Sequence, residues 1–199
     1  MEHNKGRLFV LVGPSGVGKG TLREHAFSNI ENLVYSISHT TRKPRKNERE
    51  GVEYHFVSTR EFENELALGM FLEYAVVHGD YYGTPRANVE REMEAGRDVI
   101  LEIDVQGAEQ IQRILPDSVL IFITPPSLEV LAKRLRDRKT ETEEKIALRL
   151  ENAKREMEQA GKYPHIVVND ELKRASEELR DIILSYRDRL KMEKAGRNQ

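Results

Sequence analysis

Apolar residues recur along the chain in two patterns. Short, mostly apolar runs lie at 8–12, 99–103, 119–124 and 165–168; such runs predict buried strands. Between them, 106–113, 127–136 and 142–159 read as helices. The last places Ile146, Leu150, Ala153 and Met157 on one helical face. Thr140 and Glu143 stand across its start at the spacing of a capping box. Pro125-Pro126 ends the third strand, 171–192 reads as a closing amphipathic helix, and 193–199 as a frayed tail. Strands alternating with helices predict an α/β fold, a parallel sheet wrapped by helices on both faces.

Residues 35–84 break this rhythm. Short strands are predicted at 35–38, 54–57, 71–77 and 81–82, with a tight turn at Gly79-Asp80. Ser58 and Glu61 form a capping box for a short helix ending near Gly69. The stretch reads as a small antiparallel insertion over the C-terminal edge of the main sheet, the edge where open α/β folds bind ligands. No internal repeat or low-complexity tract interrupts the chain.

The first apolar run breaks into Gly13-Pro14-Ser15-Gly16-Val17-Gly18-Lys19-Gly20-Thr21, and the segment from Thr21 to Phe27 can carry a helix. A strand, a Gly-x-x-x-x-Gly-Lys turn and a helix make a phosphate cradle. Its glycines let backbone N–H groups converge on oxygens, and the helix N-terminus adds partial positive charge. Lys19 then reaches the β- and γ-phosphates of a nucleoside triphosphate. The usual motif has Ser or Thr after the lysine to hold Mg²⁺, but here Gly20 follows and Thr21 is displaced by one. Either Thr21 supports the site indirectly, or Mg²⁺ is held by phosphates, waters and an acidic residue elsewhere. The Gly-Lys-Gly-Thr variant resembles the loop of adenylate kinases.

Composition narrows the picture. With 199 residues the chain has room for one domain carrying an inserted subdomain. A net charge of −2 gives no basic field for nucleic acid. The absence of cysteine excludes disulfides and thiolate metal sites and fits a reducing cytoplasm. No apolar run approaches the ~20 residues of a membrane span, and Met1-Glu-His-Asn-Lys5 lacks a signal-peptide pattern. A cytoplasmic protein without nucleic-acid or membrane partners is expected; composition leaves the oligomeric state open.

The insertion carries Ser38-His-Thr-Thr-Arg42-Lys-Pro-Arg45-x-x-Glu48-x-x-Gly51-x-x-Tyr54-x-Phe56. Phe71-Leu-Glu73-Tyr, Gly79-Asp-Tyr-Tyr82-Gly-Thr84 and Leu101-Glu102-Ile-Asp104-Val-Gln-Gly107 follow it. Together these blocks resemble the guanylate kinase family over about 6–185. The resemblance implies a core of about 6–34, 98–137 and 160–192, a GMP-binding insertion at 35–84 and a lid at 138–159. It implies ATP and GMP as substrates, with Mg²⁺, and leaves dGMP open as a second acceptor.

By this resemblance Arg42 and Arg45 grip the GMP phosphate, with Tyr54 and Tyr82 donating hydroxyls. Arginine suits that work because its planar fork matches phosphate oxygens in pairs. Glu73 meets the N1–H and amine donors of guanine, Ser38 and Thr84 meet O6, and Glu102 assists at the amine. Adenine would leave those groups mispaired. Asp104 is implied near the metal, in an indirect role. Arg134 and Arg138 are implied at the ATP phosphates, Arg149 as a bridge towards the acceptor, and Asn169 near the adenine end of ATP. Lys19, Arg42, Arg134, Arg138 and Arg149 make the expected catalytic set.

Taken singly, these residues have plainer readings. Arg42 and Arg45 would pass for solvated surface charges, Glu73 for an outward strand residue, and the lid arginines for intrahelical ion pairs. His39, His55, His78 and His165 show no ligand spacing. Two other functions compete. One is a non-catalytic binding module on the same fold, against which the cradle lysine speaks. The other is a kinase of another phosphate acceptor such as ribose 1,5-bisphosphate, against which the guanine-reading set speaks.

Overall fold

The computed structural model describes residues 5–28, 30–137 and 142–197, with the side chains of the last helix described as far as Asp188. In chain order the elements are β1 (Leu8–Val12), α1 (Lys19–Phe27), β2 (Leu33–Tyr35), β3 (His39–Thr40), β4 (His55–Phe56), α2 (Thr59–Ala67), β5 (Phe71–Val77), β6 (Asp80–Pro85), α3 (Arg86–Glu94), β7 (Asp98–Ile103), α4 (Val105–Ile114), β8 (Val119–Thr124), α5 (Leu128–Asp137), α6 (Glu143–Met157), β9 (His165–Val168) and α7 (Leu172–Arg197). They fall into two compact units. One takes in the chain up to Val12 and Glu31–Leu120; the other takes in Gly13–Ile30 and the chain from Ile121 onward.

In the first unit β7 lies between two parallel neighbours, with Leu101 opposite Val10 of β1 and Val99 opposite Val34 of β2. All five residues of β1 are buried, because a parallel strand covered on both faces has no solvent side to make polar. Helix α3 packs on β7, and α4 packs on β1 and on β5. A second sheet has the order β4-β3-β6-β5. Its core is an aromatic stack: Phe62 of α2 lies 4.4 Å from Phe71 and 5.0 Å from Tyr81, centroid to centroid. Gly83 makes room for that stack, since a Cβ there would come within 2.8 Å of Phe71 and 2.9 Å of Phe62.

In the second unit β8, from Ile121 onward, runs parallel to β9 with Phe122 opposite Ile166. Helix α1 packs on α7 and α5 on α6. The α5–α6 seam buries Leu131, Leu135, Ile146 and Ala153, with Leu128 and Leu150 against them. Three of those residues lie on the apolar face that the sequence predicts for α6.

The parallel α/β architecture and the antiparallel insertion are as expected, with local departures. The strand expected at 35–38 is Leu33–Tyr35 and belongs to the parallel sheet with β7. The insertion's first strand is instead His39–Thr40, and it runs parallel to β4 while pairing antiparallel with β6. Helix α3 is absent from the sequence reading, because Val89 and Met93 alone are buried on it and two positions make a faint stripe. Helix α2 has the expected capping box, Ser58 accepting from the Glu61 N–H while Glu61 reaches back to the Ser58 N–H. The cap of α6 is Thr142, accepting from the Lys145 N–H; Thr140 lies outside the described residues.

Candidate functional site

The second unit carries the glycine-rich loop. Gly13 takes φ 145°, and a Cβ on it would come 2.2 Å from the Ile123 carbonyl oxygen. Gly18 caps α1 in the left-handed region at φ 96°, with the Asn169 side-chain nitrogen 2.8 Å from where a Cβ would sit. Only glycine meets both demands. Helix α1 then starts at Lys19 with no acidic residue in its first turn, so its N-terminal partial charge stays positive.

Lys19 Nζ lies across the loop, donating to the Gly13 carbonyl at 2.5 Å and to that of Pro14 at 3.4 Å. The Val17 carbonyl accepts twice, from Asn169 Nδ2 at 2.8 Å and from an Arg134 guanidinium N–H at 3.0 Å. The other terminal nitrogen of Arg134 donates to the Asn169 carbonyl at 2.8 Å. Arg149 donates to Ser15 Oγ at 3.2 Å. The loop is therefore bounded by Lys19, Arg134 and Arg149 and fixed at Val17 by a buried asparagine. Asn169, expected near adenine, spends its amide on the loop backbone. Ser15, Gly16 and Gly20 are half-buried and Thr21 is exposed. Arg138 lies outside the described residues.

The guanine-reading candidates all lie in the first unit. Glu73, on β5, is only 3 % exposed. Thr84, its register partner on β6, donates its hydroxyl to Glu73 Oε1 at 2.5 Å. Ser38 Oγ lies 3.4 Å from the Thr84 hydroxyl. Burial pushes the Glu73 carboxyl up to about 7, the charge of Asp104 adds to the rise, and the Thr84 hydrogen bond opposes it. Both hydroxyls expected at O6 thus stand in one buried polar group with the carboxylate.

Around Arg42 the phosphate-binding candidates gather as well. Its Nε donates to the Tyr82 hydroxyl at 3.1 Å, one terminal nitrogen donates to Glu48 at 2.9 Å, and the guanidinium lies 5.5 Å from the Tyr54 ring centroid. The Tyr54 and Tyr82 rings meet edge to face at 5.8 Å. Burial holds the Tyr54 hydroxyl protonated, its pKa pushed well above that of an ordinary phenol. Glu48 also accepts from the Arg45 backbone N–H at 2.8 Å and stands 3.5 Å from its guanidinium. Glu102 is half-buried on β7 and adds negative charge at Tyr54.

Two residues quoted in the motifs gain roles that the sequence reading did not give them. Glu48 pins both Arg42 and Arg45, and its offsets of three and six from them were the available signal. Gly107 stands so close to Glu73 that a Cβ would fall 2.2 Å from Oε2. Asp104 is the N-cap of α4, accepting from the Gly107 N–H and the Gln106 amide, each at 3.0 Å. One oxygen takes each bond, so its carboxylate keeps acceptor capacity. Among the described residues no three His, Asp or Glu side chains gather as a metal-ligand group. A lone carboxylate suits Mg²⁺, which keeps waters and substrate phosphates as its other ligands.

The guanylate kinase family model matches residues 5–186. A guanylate kinase of Desulfitobacterium hafniense is 46% identical over 191 residues, covering 96% of each chain. One from Neisseria meningitidis serogroup A is 50% identical over 185 residues, covering 93% of this chain and 90% of the relative. The crystal structure of guanylate kinase from Anaplasma phagocytophilum superposes with a TM-score of 0.74 at 34% identity, over 92% of this chain and 87% of that one. The family model and the whole-length similarity agree, and this chain belongs to the guanylate kinase family.

Proposed function

We propose that the chain transfers the γ-phosphoryl group of ATP to GMP, giving ADP and GDP. The observation that carries the acceptor's identity is Glu73, buried with Thr84 and Ser38 in one polar group. A buried carboxylate needs donors, and guanine presents two beside an acceptor that a hydroxyl can meet. Arg42, Arg45, Tyr54 and Tyr82 supply forked and hydroxyl donors for a phosphate dianion. Residues following Tyr35 as far as Thr84 are the GMP-binding part and 138–159 the lid.

The chemistry asks little of the protein as an acid or base. The attacking phosphate oxygen of GMP is already unprotonated near neutral pH, so catalysis reduces to positioning and charge neutralisation. Lys19 and the loop N–H groups hold the triphosphate. Arg134 and Arg149, with Arg138, add positive charge where it develops on the transferred group. Asp104 is the residue that would steady Mg²⁺ indirectly, beside the phosphates, and the ion would contribute charge neutralisation on them when bound. Arg134 and Asn169 also keep the loop in shape by sharing the Val17 carbonyl. The cysteine-free sequence supports a cytoplasmic location.

The test is ADP formation from Mg·ATP with GMP, AMP, UMP and dTMP supplied separately. Turnover with GMP and not with the other three is expected. Turnover with none, alongside measurable ATP binding, would point to a different acceptor.

A further inference from the structure

Helix α4 touches β5 at two places, one helical turn apart. Gly107 lies against the Glu73 carboxylate. Three residues on, and so on the same face of the helix, the Gln110 side-chain amide meets the backbone of Tyr74. Gln110 Oε1 accepts from the Tyr74 N–H at 3.2 Å, and Gln110 Nε2 donates to the Tyr74 carbonyl at 2.6 Å.

Strand β5 is the edge of its sheet, so at Tyr74 its outward N–H and C=O have no neighbouring strand to pair with. One amide that accepts and donates together does what a peptide unit of another strand would do. The N–H it captures belongs to the peptide joining Glu73 to Tyr74. Fixing that peptide fixes the backbone on which the Glu73 side chain stands.

The place needs fixing. The register of β5 against β6 shifts between Phe71 and Glu73, and such an irregularity turns the following side chain and loosens the pairing. Glu73 is the first residue after the shift, and its carboxylate has room only because residue 107 is glycine.

We infer that Gln110 is a positioning residue for base selection: its amide clamps the β5 edge at Tyr74 and so holds Glu73 at the angle that reads guanine. The inference rests on Glu73 being the guanine-reading carboxylate.

Inosine 5′-monophosphate lacks the guanine amine, so the ratio of kcat/KM for GMP to that for inosine monophosphate reports how well Glu73 is aimed. The ratio is measured for Gln110→Leu, which keeps bulk and removes both bonds, and for Gln110→Glu, which keeps only the acceptor. Glu109→Gln, exposed on the same helix, is the control. Gln110→Leu is expected to lower the ratio about tenfold, as small misplacements of a reading group do. Gln110→Glu is expected to lower it less, and the KM for ATP to stay unchanged. Adding Gln110→Leu to Glu73→Gln should change the ratio no further, because the clamp then has nothing to aim.

A lower melting temperature with an unchanged ratio, in whichever Gln110 variant folds, would overturn the inference, since that is what a merely structural bond predicts. Glu73→Gln separates the two claims. If it collapses the ratio and the Gln110 variants do not, only the clamp is wrong. If it leaves the ratio intact, the reading of Glu73 and the clamp fall together.

Discussion

At the scale of single residues, Glu73 carries most of the site's tension. Its carboxyl is raised to about 7 from an ordinary 4.5, first by burial and then by Asp104. The unfolded chain releases that proton near the ordinary value, so between these limits the folded state binds more protons than the unfolded one. Stability therefore falls as pH rises from about 4.5 to about 7, and it is highest below that window as far as this group is concerned. Glu73→Gln should flatten the slope, which urea midpoints at about pH 5 and about pH 7.5 would show. The same substitution should weaken GMP roughly 10- to 100-fold, from the ~1.5–3 kcal/mol of hydrogen bonds to a charged group, and leave ATP unaffected. Equilibrium binding of each nucleotide checks this.

Glu48 poses a second question at this scale. It holds Arg42 and Arg45 with both side chains of the Arg42 pair largely buried. Glu48→Gln should raise the KM for GMP about tenfold, because a misplaced phosphate fork binds poorly, with the KM for ATP unchanged; initial-rate kinetics would decide. The motif spacing displayed Glu48 without its task, since an acid three and six residues from two arginines is common on solvated surfaces.

At the scale of elements, caps and loop buttresses behave differently. The Ser58 capping box of α2 is local, readable from Ser58 and Glu61 alone. Ser58→Ala should cost about 1 kcal/mol, or roughly 2–4 °C in melting temperature for a chain of this size, without altering kinetics. The glycine-rich loop is local in its residues but not in its support. Asn169 lies 152 residues from the Val17 carbonyl it holds. Asn169→Leu should raise the KM for ATP several-fold and spare GMP binding, because it removes one of two donors to that carbonyl. A matching loss of GMP affinity, measured by calorimetry, would contradict the assignment. Helix α3 and the strand Leu33–Tyr35 show the limit of pattern at this scale. The first buries too few residues to make a visible stripe, and the second is too short for its three half-buried residues to declare a sheet.

At the scale of the whole molecule, the residues proposed for the triphosphate, Gly13–Thr21, Arg134, Arg149 and Asn169, fall in one compact unit. The residues proposed for guanine and for the GMP phosphate fall in the other. Arg134 and Asn169 hold the Val17 carbonyl within the first of these sets, and Thr84 and Glu48 hold Glu73 and Arg42 within the second. Lys19→Met should abolish turnover while GMP binding stays within about twofold of the parent, because Lys19 lies across the triphosphate loop and donates to its Gly13 carbonyl. Equal loss of both, by titration with GMP alone, would show that the two sets are not separable.

The sequence by itself determined the strand–loop–helix cradle, the alternation that makes a parallel sheet, the capped α2 and the family motifs. Each is written in neighbouring residues whose backbone preferences and periodicity act over a turn or a strand. Only the tertiary structure decided what the motif residues touch. It brought Asn169 and Arg134 to Val17, set Gly107 against Glu73, and put Gln110 on the β5 edge. It also buried Glu73 deeply enough to move its titration. Those facts depend on which distant segments pack together and how much water they exclude. Burial and desolvation are properties of the assembled fold, and no window of sequence carries them.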